Sequence, residues 1–487
     1  MFKNIDILIK INLTFIQISN KYSAKEVYYL SYFKLKERNT NVRTEIIAGI
    51  TTFMTMAYII FVNPAILSQG GKTGIPFEAA VVATCLGAGL MSMLMGLITN
   101  TPFALASGMG INAVVVFTII FGLGLTWQQA MGIVVLEGII VTILVLTGLR
   151  TMIMKAIPME LKYSIGVGIG LFIAFIGAQE GGFVAMDPVT AVKLGDFTSP
   201  VTLLTLFGLV LTIVLLAYRV KGAILIGIVG TTILGMATRI IALPTQIIAI
   251  PNAASFYTFF KADIVGAIWS KGMVNIAAIV MIFALFMSDF FDTMGTVIGV
   301  GEEAKLLDEK GNLPGLRNVL LIDSIAAIAG GLFGASSVTT YIESASGVSE
   351  GGRTGIMPTT TGILFLLSIF FAPLIAVVGG GVQVAEGVYK YPVTASALIV
   401  VGFLMMTIVS KIDFKDWEVG IPAFLTIIIM PFTYNISYGI GFGFISYTII
   451  KLLRGKWRQV HPLMIIVSVL FAVAFVAQAI AGKFIGK

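Results

Sequence analysis

The chain has 487 residues, of which 57% are hydrophobic and only 11% charged, and its formal net charge is +7. Soluble domains contain about 25% charged residues, so these charges are too few to cover the surface of a soluble protein. The single cysteine, Cys85, excludes a fold held by disulfides, and the hydrophobic content excludes intrinsic disorder. The composition predicts an integral membrane protein that crosses the bilayer many times.

Residues 1–44 are predicted to form a cytoplasmic tail. Lys and Arg cluster there, between Lys3 and Arg43, and recur in the short gaps between later apolar segments. This placement follows the positive-inside rule. It therefore predicts a multi-pass protein of the cell (plasma) membrane with a cytoplasmic N-terminus, and it argues against a nucleic acid partner.

Apolar segments fill most of the remaining chain, and most approach the length of about 20 residues that a spanning helix needs. They predict an all-α polytopic fold with 14 transmembrane segments. Seven fall in a first repeat at residues 45–241 and seven in a second repeat at 274–453, joined by a connector at 242–273. Because seven is odd, the repeats would insert in opposite directions, as in many secondary transporters.

The C-terminal region, residues 454–487, contains one more apolar segment at 461–482. It could form a fifteenth crossing, a re-entrant helix or a helix on the membrane surface.

Two apolar segments are interrupted by glycine and polar residues. They are TPFALASGMGINA (Thr101–Ala113) and GASSVTTYIESASG (Gly334–Gly347). Each begins with residues that favour extended backbone and continues with small residues that favour a helix. A short strand leading into a half-helix would direct backbone N–H groups and the positive end of a helix dipole toward the membrane centre. The alternative is a pair of tight loops at the membrane edge.

Five carboxylates interrupt apolar segments, where each costs at least about 2.5–3.5 kcal/mol at the centre of a helix: Glu137, Asp289, Asp292, Asp323 and Glu343. Asp289 and Asp292 are three residues apart and share one helical face. For Asp323, a place at a helix end close to water is an equal alternative. For Glu137, a hydrogen bond to a neighbouring helix competes with a role in coupling.

Arg and Lys are nearly absent from the same segments, so the site suits a cation or a neutral ligand with N–H donors better than an anion. The sequence contains neither HExxH nor GxSxG, which are motifs of metalloproteases and hydrolases. The only histidine is His461, outside the interrupted segments. We therefore predict no enzyme activity, no metal and no cofactor, and proton transfer would depend on carboxylates.

Four stretches resemble the nucleobase–cation symporter-2 superfamily, specifically its AzgA-like branch of hypoxanthine, guanine and adenine permeases. They are Thr40–Leu67, Thr101–Ala113, the FFDTMGT around Asp292, and the SSVTTYIESASGVSEGGRTG around Glu343. The resemblance covers about residues 33–455. It implies a core domain of segments one to four and eight to eleven, and a gate domain of segments five to seven and twelve to fourteen. The nucleobase would lie between the third and tenth segments.

The resemblance also implies the site residues, because Asp289, Glu343 and Asn112 match family positions concerned with the base. Neighbouring residues of the interrupted segments complete the prediction, with Phe103 or Tyr341 stacking on the ring. The predicted substrate-binding residues are Asp289, Glu343, Asn112, Thr339, Tyr341 and Phe103. The predicted cation-coupling residues are Asp292, Glu343 and Glu137.

These features predict a secondary active transporter that imports purine nucleobases with protons, by an elevator-like movement of the core against the gate. Sodium is a less favoured coupling ion. The preferred purine is left open, as is the choice between a monomer and a homodimer. The alternatives are a purine-binding membrane sensor and an inorganic-anion transporter of related fold.

Overall fold

The computed structural model describes residues 32–148, 157–270, 273–308, 313–385 and 388–485. Most of the predicted tail and residues 271–272 of the predicted connector lie outside these ranges. The helices are α1 (Val42–Met56), α2 (Ile59–Ser68), α3 (Phe77–Thr99), α4 (Met109–Ala113), α5 (Trp127–Thr147), α6 (Met159–Glu180), α7 (Pro200–Ala217), α8 (Ala223–Ala237), α9 (Ile264–Ile268), α10 (Ile276–Glu303), α11 (Leu316–Phe333), α12 (Ser344–Ser349), α13 (Ile356–Ser368), α14 (Ala372–Gly379), α15 (Pro392–Met406), α16 (Trp417–Thr433), α17 (Ile436–Leu453) and α18 (Pro462–Ile485).

Eight short strands form four two-stranded antiparallel sheets among the described residues. The strands are β1 (Leu105–Ser107), β2 (Val184–Asp187), β3 (Ala191–Leu194), β4 (Trp269–Ser270), β5 (Met273–Val274), β6 (Val338–Thr340), β7 (Val382–Ala385) and β8 (Val388–Lys390). Three sheets join strands close in sequence, whereas β1 pairs with β6 across more than 200 residues.

The predicted helical membrane architecture is confirmed. Within the described ranges, ten helices are long and apolar enough to cross a membrane, and four shorter apolar helices accompany them. The segment predicted at 461–482 is helical, as part of α18. The total of 14 crossings stays a prediction, because α12 has only six residues and a crossing helix needs about 20.

Helix packing repeats with a shift of seven segments. The second segment, α3, packs against the eleventh, α13, and the ninth segment, α11, packs against the fourth, α5. In the same way α7 packs on α15, and α16 packs on α6. Packing partners thus recur when every segment is replaced by its counterpart seven later, as two repeats related by an approximate twofold axis require.

One close helix approach in this arrangement depends on glycine. At the crossing of α6 and α15, a Cβ added to Gly170 would lie 2.7 Å from the carbonyl oxygen of Gly402. Small residues that let backbones approach closely are typical of membrane helix interfaces. These glycines therefore serve packing.

Most of the helices fall into two packing groups. The first helix group comprises α1–α5 and α10–α14, and the second comprises α6–α8 and α15–α17.

We call the side with Asn100 and Arg353 the near face, since the Arg38 guanidinium donates to the carbonyls of both residues, at 2.6 and 2.7 Å. We call the opposite side, with the ends of α2 and α6, the far face.

Candidate functional site

The two interrupted segments meet in the interior of the protein. Strands β1 and β6 pair antiparallel, with Leu105 opposite Thr340 and Ser107 opposite Val338. All six strand residues are buried. Inside a membrane protein, backbone polar groups must be paired, and the two strands pair each other. The prediction of short strands leading into half-helices is confirmed, and the alternative of loops at the membrane edge is wrong.

The first interrupted segment continues from β1 into α4 and then into a π-helix at Val114–Gly122. Its packing is tight, since a Cβ on Gly110 would lie 2.7 Å from the Ile169 side chain of α6. The same Cβ would lie 3.7 Å from the hydroxyl of Ser288 on α10. The half-helix α4 is therefore held between α10 and the second helix group.

Asn112 lies in this half-helix and is fully buried. Neither its amide nitrogen nor its amide oxygen has a hydrogen-bond partner among the residues that the structure describes. A buried polar group without a partner costs about 1–3 kcal/mol, so such a group calls for an explanation. A ligand with one donor and one acceptor would satisfy both amide atoms.

The second interrupted segment places Glu343 just before α12. Its side chain is half-buried, and its Oε1 accepts a 2.7 Å hydrogen bond from the hydroxyl of Tyr58. Tyr58 is buried at the junction of α1 and α2. The sequence did not predict this residue, because its partner lies 285 positions away in the chain.

Asp323 supports strand β6 from the neighbouring helix α11. Its carboxylate accepts hydrogen bonds from the hydroxyls of Thr293, at 2.6 Å, and Thr339, at 3.2 Å. It also accepts the backbone N–H of Thr340, at 2.9 Å. Asp323 is fully buried, so the alternative of a helix-end residue close to water is wrong. Thr339, a predicted substrate-binding residue, belongs to this network.

The two predicted stacking aromatics have different surroundings. The Tyr341 hydroxyl donates to the carbonyl of Ser107, so this side chain ties the two interrupted segments together. Tyr341 also interacts electrostatically with Glu343. Phe103 is fully buried in an apolar cluster that includes Met95 and Leu105. Of these two aromatic side chains, Tyr341 is the one with an interaction to a predicted substrate-binding carboxylate, that of Glu343.

Helix α10 carries Asp289 and Asp292 past the paired strands. Asp289 is fully buried, whereas Asp292, almost one turn later, is exposed. The Asp292 carboxylate interacts electrostatically with Glu343 and with Asp323. The structure therefore brings two of the predicted coupling carboxylates, Asp292 and Glu343, into one electrostatic cluster.

Glu137, the third predicted coupling residue, is fully buried in α5. The neighbouring Gly138 marks a tight crossing with α11, since a Cβ there would lie 2.8 Å from the backbone nitrogen of Ile328. Glu137 thus lies next to the contact between α5 and α11 within the first helix group.

The described residues suit a neutral polar ligand. The buried amide of Asn112 can donate and accept, and carboxylates accept N–H donors in charge-assisted hydrogen bonds. Among the described ranges, no group of three or more His, Cys, Asp or Glu side chains is placed to hold a metal ion.

Solved structures share this architecture at low sequence identity. The transmembrane domain of the cyanobacterial bicarbonate transporter BicA matches with a TM-score of 0.52 and 16% identity, over 88% of this chain and 97% of that one. SLC26A9 matches with a TM-score of 0.53 and 9% identity, over 90% of this chain and 71% of that one. At such identities the likeness shows the fold alone.

Sequence relatives are much closer. The profile of a permease family, Xan_ur_permease, matches residues 43–442. The guanine/hypoxanthine permease PbuO of Bacillus subtilis is 40% identical over 447 residues, 90% of this chain and 98% of PbuO. The adenine permease AdeP of Escherichia coli is 39% identical over 444 residues, 91% of this chain and 95% of AdeP. The chain therefore belongs to the permease family Xan_ur_permease, the nucleobase–cation symporter-2 family that its interrupted segments predict.

Proposed function

We propose that this protein transports purine nucleobases across the cell membrane. The observation that carries the proposal is the buried amide of Asn112, which has no hydrogen-bond partner within the described ranges. Its half-helix is joined through β1 and β6 to the half-helix that follows Glu343. The names of the permeases PbuO and AdeP support the choice of purines.

Recognition would match the edge of an oxopurine. Such a base offers N–H donors and a carbonyl acceptor, so Glu343 and Asp289 would accept its N–H groups while Asn112 fills the remaining edge. Tyr58 occupies one oxygen of Glu343 and leaves the other oxygen for the base. Tyr341 is the better placed aromatic for stacking, whereas Phe103 would support the site from the apolar cluster.

Coupling to protons would follow from the placement of the carboxylates. Asp292 and Glu343 interact electrostatically, and two ionised carboxylates repel one another in a medium of low dielectric constant. A bound proton removes one charge and the cost of carrying it through a closed state. Protons are therefore favoured over sodium, with Asp292 and Glu343 as carriers and Glu137 as a further candidate in α5.

Movement would use the two helix groups. The first helix group corresponds to the core domain implied by the family resemblance, and the second corresponds to the gate. Both interrupted segments and all predicted site residues lie in the first group. An elevator-like sliding of the first group against the second would carry the bound base from one face of the membrane to the other.

Uptake of radiolabelled hypoxanthine into proteoliposomes tests the proposal. The assay uses a pH gradient, a sodium gradient and no gradient, with guanine, adenine and uracil as competitors. We expect concentrative uptake that follows the pH gradient and is blocked by purines. Purine binding without uptake would favour the sensor, whereas the absence of both would overturn the assigned substrate class.

The variant Asp289→Asn tests the contribution of α10 to recognition. Because an amide oxygen is a weaker acceptor than a carboxylate, we expect weaker hypoxanthine affinity in a folded protein. Asp413→Asn changes an exposed aspartate in the loop before α16 and is the matched control. Equal affinities for Asp289→Asn and the native protein would remove Asp289 from the site.

A further inference from the structure

One face of α10 is buried in its far half and exposed in its near half. Residues on this face follow at spacings of three and four, which keeps them in line along a helix. In order from the far end they are Met281, Leu285, Ser288, Asp292, Gly295 and Gly299. The first three are buried, and the last three are exposed. A Cβ on Gly295 would meet no atom of the described part of the chain within 4 Å.

The far half of this face is directed toward the second helix group, and in the near half a Cβ on Gly299 would lie 3.4 Å from the side chain of Ile342, beside Glu343. The far half contacts the second helix group directly, because the hydroxyl of Ser437 on α17 lies 3.4 Å from the sulfur of Met281. The same face therefore passes from a packed interface to open space along its length. The open space begins at Asp292, so it reaches the candidate site from the near face.

Aromatic side chains join the two groups on the far side of the site. Phe117 of the π-helix packs edge-on against Tyr434, with ring centroids 5.3 Å apart, and against Phe172 of α6, at 6.4 Å. Tyr434 and Phe172 are themselves 5.2 Å apart. Edge-to-face aromatic pairs are worth about 0.5–1.5 kcal/mol beyond the area that they bury.

Polar contacts continue this junction to the far face. The Gln69 amide at the end of α2 donates a 2.9 Å hydrogen bond to Oε1 of Glu180 at the end of α6. Beside it, the ring of Tyr389 covers Gly70 so closely that a Cβ there would lie 2.9 Å from the ring. On the near face, the ion pair of Lys221 and Glu350 links the two groups with side chains that are 53% and 28% exposed, and ion pairs accessible to solvent contribute little.

We propose that the Gln69–Glu180 hydrogen bond and the rings of Phe117, Phe172 and Tyr434 form a far-face seal, and that the structure represents the state open to the near face. The inference rests on the proposed transport function, since a seal has meaning only where a substrate passes. In each transport cycle these contacts separate, and the open face of α10 closes against the second helix group.

The seal is connected to the candidate site through one short helix. Asn112 is followed without interruption by the π-helix that carries Phe117. Such π-helical turns are uncommon and occur often at functional sites. A shift of α4 when a base binds Asn112 would move Phe117 within the aromatic cluster, so that the base itself promotes opening of the seal.

Chemical cross-linking of the far-face seal tests the proposal. In Gln69→Cys/Glu180→Cys, a bifunctional thiol reagent would lock α2 to α6, and the native Cys85 is fully buried and need not be removed. We expect cross-linking to stop hypoxanthine uptake in proteoliposomes while hypoxanthine binding persists. The control is Met186→Cys/Val192→Cys, a pair of opposed residues in the exposed hairpin of β2 and β3, whose cross-linking should leave uptake unchanged.

Thiol labelling of α10 provides a second readout that does not depend on transport. A polar maleimide should modify Gly295→Cys rapidly and Ser288→Cys slowly, and cross-linking of the seal should preserve this difference. Continued uptake by the cross-linked protein, or protection of Gly295→Cys, would overturn the seal. If the native protein neither binds nor takes up hypoxanthine, the proposed function itself is overturned, so the two failures are distinguishable.

Discussion

The two interrupted segments share a backbone plan and differ in chemistry. Each contributes three residues to the β1–β6 pair and then a half-helix. The first offers the uncharged amide of Asn112 and continues into a nine-residue π-helix. The second offers the carboxylate of Glu343 and continues into the six-residue α12.

This difference shows that the two repeats share the backbone arrangement of the interrupted segments and not their side chains. Backbone hydrogen bonds between β1 and β6 hold the two half-helices at one buried point whatever side chains they carry. The side chains are then free to diverge, and in this protein one half supplies a group that donates and accepts while the other supplies a charged acceptor. An asymmetric ligand such as a purine suits an asymmetric pair of this kind.

Glu343→Gln removes the charge from the second segment and should have the largest effect. The variant keeps the size of the side chain but weakens the acceptor for an N–H donor and removes the proposed proton carrier. We expect hypoxanthine uptake in proteoliposomes to fall to the level of empty liposomes. Glu302→Gln, an exposed change near the end of α10, controls for charge, and native uptake by Glu343→Gln would remove this residue from the mechanism.

Asp323→Asn tests the support of the second segment. The aspartate accepts three hydrogen bonds, and an amide with one acceptor oxygen cannot replace all of them. We expect a loss of about 1–3 kcal/mol in stability for a buried donor left unpaired, seen as a lower apparent melting temperature in detergent. The exposed change Asp413→Asn is the control. If Asp323→Asn melts at the same temperature as the native protein and this control, β6 does not need the hydrogen bonds to Asp323.

Asn112→Leu separates binding from stability in the first segment. No described residue forms a hydrogen bond with the native amide, so an apolar side chain of similar size should leave the melting temperature unchanged or raise it. Loss of two hydrogen bonds to a base, at about 0.5–1.5 kcal/mol each, should weaken hypoxanthine affinity about tenfold. Equal losses of stability and affinity would assign Asn112 a structural role, and binding titrations beside melting curves decide between the two outcomes.

The sequence predicted the places of the interrupted segments because their chemistry is local. Pro102, the glycines and the polar runs break an apolar pattern within about a dozen residues, and the structure has short strands there. The role of Asp323 and the bond from Tyr58 to Glu343 were not predictable in the same way. Tyr58 meets a residue 285 positions away, and no local pattern encodes such a contact.

Two serines hold the backbone at the first strand, and their substitution should have the smallest effect of the variants considered. The hydroxyl of Ser92 accepts the N–H of Leu105, at 2.8 Å, and donates to its carbonyl, at 2.9 Å. Ser344, from the second segment, accepts the N–H of Ala104, at 3.0 Å. We expect Ser92→Ala and Ser344→Ala each to cost about 1 kcal/mol of stability, measured as a small fall in melting temperature against the exposed control Ser410→Ala. If Ser344→Ala alone also weakens hypoxanthine binding, the second segment holds the base more directly than the first, because Ser344 is the neighbour of Glu343.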